Sequence, residues 1–224
     1  MQVDLLGKTT VITGGSSGIG LAAAKLFLSC GAQVAICGRN EERLQSAGDI
    51  LGEPAGDRLL LHQADVLDAA DMKIFATCVK NRFGGTDMLV NNAGQGRVST
   101  FADTSDDAWH EEFTLKHFGV IYPTRAFLPM LEHASAPSIV CMNSLLAVQP
   151  EPHMVATSSA RAGLLNLVHS LAKELAPKGI RVNSILLGLV ESGQWRRRYE
   201  EANPSGQSFE EWIREVARTK NITL

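Results

Sequence analysis

Four cysteines, Cys30, Cys37, Cys78 and Cys141, are the only thiols in the chain, and no two of them stand in a C-x-x-C spacing. Zinc ligation and a disulfide framework are therefore unsupported, and no metal is expected. Cys37 and Cys141 lie inside apolar runs, where a free thiol packs as a small hydrophobe. A basic excess is also lacking: 21 Lys and Arg stand against 24 Asp and Glu, for a net charge of -3. Nucleic acid is a poor expectation as a partner. No apolar run approaches the roughly 20 residues that a membrane span needs. Residues 1–13, with Asp4 and Lys8 around a leucine pair, lack the apolar stretch of a signal peptide. A cytoplasmic protein away from membranes is expected. Repeats, low-complexity tracts and linkers are missing, so residues 1–224 are expected to form one domain around one core. Aromatic residues make up 6%, and only Tyr122 and Tyr199 are tyrosines.

What the chain does have is alternation. Apolar or β-branched runs at 9–13, 34–37, 59–62, 88–90, 138–142 and 181–186 predict six strands. Helical patterns at 19–28, 41–51, 69–83, 106–131 and 155–175 lie between them, with Gly31, Gly84 and Gly179 as stop signals. Strands that alternate with helices imply right-handed crossovers and a parallel sheet covered on both faces, a three-layer α/β/α arrangement. After Leu186 the pattern loosens into a lid-like region at about 187–219, with short helical pieces at 194–201 and 209–219.

The first strand runs into Thr13-Gly14-Gly15-Ser16-Ser17-Gly18-Ile19-Gly20 and then directly into a helix. That context makes a glycine-rich loop a dinucleotide site: Gly14 takes a tight turn, Gly18 admits a pyrophosphate, and Gly20 lets helix pack on strand. Thr13, Gly14, Ser16, Ser17, Gly18, Ile19 and Gly20 are the candidate phosphate-binding residues. At the end of the second strand, Arg39 can pair with a 2′-phosphate, which favours NADP(H) over NAD(H). Stacking on adenine, or a solvated place at the start of a helix, are its alternatives. After the third strand, Asp65 and Val66 can offer a carboxylate and an apolar wall to adenine, although Asp65 can also serve as a helix cap. The fourth strand ends in Asn91-Asn92-Ala93-Gly94 at the carboxyl edge of the sheet, where doubly wound folds bind ligands.

The chain thereby resembles a short-chain dehydrogenase/reductase. The resemblance rests on the eight-residue loop, on Asn91 to Gly94, on Ser144 in strand five and on Ile180-Arg181-Val182-Asn183 at strand six, in the expected order over essentially the whole chain. It implies a Rossmann-type sheet in the order 3-2-1-4-5-6 with a seventh strand, and a homodimer or homotetramer through the two long helices. It adds Asn92, Ala93, Gly94, Arg161, Gly188 and Val190 to the cofactor set. The sequence stops at Leu224, so the seventh strand is expected to be missing or to lie beyond it.

The same resemblance implies a catalytic serine, tyrosine, lysine and asparagine. Ser144 is kept, but Thr157 stands at the tyrosine position, Arg161 at the lysine position and Lys116 at the asparagine position. Leu187 replaces a proline before Gly188, and Ser192 a threonine that touches the nicotinamide carboxamide. A phenol with a pKa of about 10 can exchange a proton with a carbonyl oxygen, whereas an aliphatic hydroxyl is far weaker and shorter. Arg161 can bind and polarise but does not release its proton. Lys116, desolvated beside another cation, could be an acid near neutrality. His153, four residues before Thr157, is the other candidate acid, with a capping or surface role as its alternative; His117 is expected to be structural, and Tyr122 core. Lys116, Arg161 and His153 around Ser144 would suit an anionic small-molecule substrate, unless carboxylates such as Glu151 take their charge. Trp195 and Tyr199 share a helix face that would suit a substrate lid. Arg196 to Arg198 could meet an anionic carrier or form a solvated face. Three functions stay open: an NADP(H)-dependent oxidoreductase of carbonyl and alcohol groups with a displaced acid or a water held by Ser144, a nucleotide-binding pseudoenzyme that is a partner or sensor, and a non-redox lyase, dehydratase or cyclase.

Overall fold

Every residue of strand β1, Thr9–Thr13, is buried, as the central strand of a parallel sheet covered on both faces must be. A computed structural model of the chain describes residues 3–190, 193–202 and 206–219. Strands β2 (Gln33–Gly38), β3 (Leu59–Gln63), β4 (Met88–Asn91), β5 (Ser138–Ser144) and β6 (Arg181–Leu187) complete six parallel-wound strands in the order β3-β2-β1-β4-β5-β6. Val11 pairs with Ala35 on one side and with Leu89 on the other. The direction reverses between β1 and β4, which opens a crevice at their carboxyl ends.

Successive strand residues point to opposite faces and so feed two cores. Val11, Ala35, Cys37, Leu89 and Ile139 face helices α3 (Ala69–Phe83), α4 (Asp106–Leu131) and α5 (Val155–Leu175), where Phe75 meets Phe127 edge-on at 5.4 Å. Ile12, Val34, Ile36 and Val90 face α1 (Gly18–Ser29) and α2 (Glu41–Ala55) through Ala24, Leu28, Leu44 and Leu51. Helix starts follow side-chain chemistry: Asn40, Asp68 and Ser105 cap α2, α3 and α4 by accepting backbone N–H groups of the first turn. The cap of α3 is thus Asp68, and Asp65 instead accepts from Leu67 N at 2.9 Å in the turn before it.

The chain divides into Met1–Leu186 and Leu187–Leu224. In the second unit, α6 (Gly193–Ala202) and α7 (Phe209–Thr219) build their own aromatic cluster. Trp195 lies 6.2 Å from Trp212, and Tyr199 meets Phe209 at 5.6 Å and Trp212 at 5.7 Å. The Tyr199 hydroxyl donates to Gln207 O at 2.6 Å. Trp195 and Tyr199 do share a face, as their spacing predicts, and that face turns to α7. Arg198 lies over Trp195 and Arg196 over Phe209, so these two guanidinia cover rings within their own unit. Ser192 lies outside the described residues, which contain no helix long and apolar enough to cross a membrane.

Candidate active site

The glycine loop and the turn after β4 are one hydrogen-bonded piece. The Asn92 amide donates to Thr13 O and Gly14 O, both at 3.0 Å, while Thr13 Oγ1 accepts from Asn92 N at 3.0 Å and Ala93 N at 3.1 Å. Side chains have no room here: a Cβ on Gly20 would stand 2.3 Å from Gly14 O and 2.5 Å from the Asn92 amide nitrogen. A Cβ on Gly14, at φ 65°, would stand 2.8 Å from Ala93 Cα. Ser17 precedes α1 without capping it through its side chain, and the first turn of the helix has no acidic residue. The first N–H groups of α1 therefore keep their capacity for an anion, with Ser17 and Gly18 exposed beside them and Ser16 and Ile19 half-buried. A cradle with these gaps and donors fits a dinucleotide pyrophosphate.

Arg39 directly follows β2 with its side chain 69% exposed, and its Nη1 is 4.0 Å from Asp65 Oδ2. Such a loose pair contributes little and leaves the guanidinium available. Val66 is buried, and a Cβ on Gly119 of α4 would lie 3.5 Å from it. Its side chain packs with the core on that face. Gly188 and Val190 precede α6 in the second unit.

Helices α4 and α5 bring four side chains together, each pair one helical turn apart: Glu112 with Lys116, and Thr157 with Arg161. Lys116 Nζ lies 2.9 Å from Glu112 Oε2, and the same oxygen accepts the Thr157 hydroxyl at 2.7 Å. Thr157 Oγ1 in turn accepts from Arg97 N at 3.0 Å, so its one proton and its accepting side are both engaged. Ser99 N donates to His153 O and Val155 N to Ser99 O, which fastens the loop after β4 to the start of α5. Arg161 Nη1 donates to Met142 O at 2.8 Å, and Asn143 donates to Arg161 O, which ties α5 to the end of β5 beside Ser144. Ser144 Oγ accepts from Leu146 N at 3.2 Å and keeps its own proton to donate.

His153 joins Glu151 rather than the cluster: its Nε2 is 3.0 Å from Glu151 Oε2 and its side chain is 53% exposed. His117 bonds Phe113 O and stacks on that ring, and Tyr122 packs on Phe118. Glu112 was absent from the candidates, although a glutamate four residues before Lys116 was visible as a helical ion-pair spacing.

The short chain dehydrogenase family profile matches residues 8–203. The chain belongs to this family. A short chain oxidoreductase from Pseudomonas aeruginosa, described as containing an atypical catalytic center, is 56% identical and superposes with a TM-score of 0.93 in its apo structure, over 97% of this chain and 84% of that one. Its NADPH-bound structure superposes with a TM-score of 0.91, over 98% and 83%. The L-sorbose reductase of Gluconobacter frateurii, solved with NADPH and L-sorbose, is 32% identical with a TM-score of 0.92, over 98% of this chain and 84% of that one. The 3-oxoacyl-[acyl-carrier-protein] reductase of Chlamydia pneumoniae is 33% identical over 192 residues, covering 86% of this chain and 77% of that protein. The protein is therefore an oxidoreductase of the short-chain family.

The electrostatics of this short-chain oxidoreductase follow from burial. Desolvation pushes the Lys116 ammonium down to about 8, against the pull of Glu112 and with help from Arg161 and Arg97. Burial also brings Arg161 down to about 10, with Glu112 opposing, which leaves the guanidinium charged at neutral pH. Arg161 Nε is buried without a hydrogen-bond partner among the described residues. The Arg97 side chain turns to Glu111. Buried Lys116 is thus paired with a buried carboxylate whose charge also reaches half-buried Arg161, and the positive charge expected around Ser144 is partly compensated. Burial pushes the Cys37 and Cys141 thiols up to about 12 and about 11, which keeps both unreactive.

Proposed function

We propose that the protein is an NADP(H)-dependent oxidoreductase of carbonyl and alcohol groups in which Lys116 replaces the family's tyrosine as proton donor. The observation that carries this is the buried Lys116 ammonium held 2.9 Å from Glu112 between α4 and α5, with its acidity brought toward neutrality. Arg39 receives the 2′-phosphate, the loop from Thr13 to Gly20 the pyrophosphate, and Arg161 the nicotinamide ribose. Bound NADPH supplies a hydride to the carbonyl carbon. The carbonyl π pair moves onto oxygen, which Ser144 Oγ orients and which must gain one proton. Lys116 is 2% exposed, so its proton reaches that oxygen through the Ser144 hydroxyl or one water, and solvent then reprotonates the amine. Thr157, with both sides of its hydroxyl engaged, anchors the loop and the carboxylate. The charge left over from two cations and one carboxylate suits a substrate that carries a carboxylate or phosphate. Exposed Phe113 and Phe118 on α4 support a homodimer or homotetramer through α4 and α5.

The test is a titration with NADPH and NADH followed by a panel of carbonyl substrates, neutral and anionic, with wild type and Lys116→Met. Tight NADPH binding with turnover that Lys116→Met lowers at least a hundredfold is the expected result. The near-complete burial of Lys116 and Thr157 favours one alternative, a nucleotide-binding partner or sensor, and NADPH binding without any turnover would select it.

A further inference from the structure

We propose that Glu112 is the positioning residue of this site: its carboxylate fixes the Lys116 side chain and holds it as an ammonium. This rests on the assignment of Lys116 as the acid. One oxygen, Glu112 Oε2, receives Lys116 Nζ at 2.9 Å from its own helix and Thr157 Oγ1 at 2.7 Å from α5. The relative exposures of Glu112, Lys116 and Thr157 are 2%, 2% and 1%, so water does not compete for these bonds. Thr157 is itself held by the Arg97 backbone N–H, and its remaining proton points the carboxylate at the ammonium.

The charged groups that act on Lys116 are Glu112 from α4, Arg161 from α5 and Arg97 from the loop after β4. Two are cations and oppose the ammonium, as burial does. Glu112 is the one group of the three that favours it. When Lys116 gives up a proton, the neutral amine keeps an N–H for Glu112 and returns to the same place for the next cycle. The family's tyrosine is thus replaced as acid by a unit of different composition: a carboxylate, an ammonium and a threonine that locks the two.

The experiment follows the Lys116 titration by NMR in the full chain with 13Cε-labelled lysine, the Lys116 signal being assigned by its loss in Lys116→Met. Glu112→Gln keeps the shape and an acceptor for Thr157 but removes the charge. Its Lys116 midpoint should fall by at least about one pH unit, a tenfold change in the equilibrium, with NADPH affinity unchanged within about twofold. Glu112→Asp should give a smaller fall, and carries the test if the glutamine variant does not fold. Any limb of the pH profile for carbonyl reduction above neutrality should move by the same amount. A midpoint that stays in place in both variants overturns the proposal. A midpoint that moves while no substrate is turned over leaves Glu112 in its role and removes the assignment of Lys116 as acid.

Discussion

Removing one member of the Glu112–Lys116 pair leaves the other buried without its counter-charge, and the cost should far exceed that of removing both. Lys116→Met leaves Glu112 with the Thr157 hydroxyl alone as direct partner, and Glu112→Leu leaves an ammonium beside two guanidinium groups. Breaking a buried pair costs about 3–5 kcal/mol, whereas replacing the whole pair by apolar groups of similar volume is often neutral. The double variant keeps Thr157 satisfied, because its hydroxyl can turn to Arg97 O at 3.2 Å. For a chain of this length a loss of about 3 kcal/mol lowers Tm by roughly 6–12 °C. Thermal unfolding at one fixed protein concentration should therefore show two strongly destabilised single variants and a double variant within about 1 kcal/mol of wild type. If the two single losses are each below about 1 kcal/mol, or simply add in the double variant, the pair is not the isolated buried unit described above.

Gly20→Ala would drive a methyl into Gly14 O and the Asn92 amide, so NADPH affinity measured by fluorescence titration should fall at least tenfold; unchanged affinity would refute the cradle. Arg39→Ala should weaken NADPH at least tenfold while NADH changes by less than about twofold, and equal effects on both would remove Arg39 from the 2′-phosphate. Lys116 also links stability to pH. Its folded value of about 8 lies below the ordinary 10.5, so unfolding takes up a proton between those values. Its burial cost is therefore fully present below about pH 8 and is relieved as pH rises toward 10.5. The size is of order 3 kcal/mol at about 1.36 kcal/mol per unit. The stability gap between wild type and Glu112→Leu/Lys116→Met, followed by urea unfolding from pH 7 to 10.5, should move in favour of wild type as pH rises; a flat gap would refute the depressed lysine.

The sheet was legible because its signals are local. Continuous apolar runs such as 34–37 and 59–62 needed only an extra residue or two at their ends, and α3, α4 and α5 match their predicted bounds, the last two carrying the cluster. Helix α2 runs on to Ala55, past the predicted end at 51, and β5 reaches Ser144, so that Ser144 ends the strand. The position of Val66 just after β3 was legible, whereas its packing against Gly119 of α4, 53 positions away in the chain, was not.

The amino-acid sequence by itself determined the strand–helix alternation and the glycine loop in its strand-to-helix context, because each depends on neighbours within one turn or one strand. Only the tertiary structure decided which side chains Thr157, Arg161 and Lys116 meet. Glu112 and Thr157 are 45 positions apart, and their 2.7 Å contact exists because α4 and α5 pack side by side. Packing, not spacing, makes Glu112 and Lys116 a buried pair instead of a solvated one. Charge in water is cheap wherever it stands, while charge out of water is set by the one or two groups that the fold places against it.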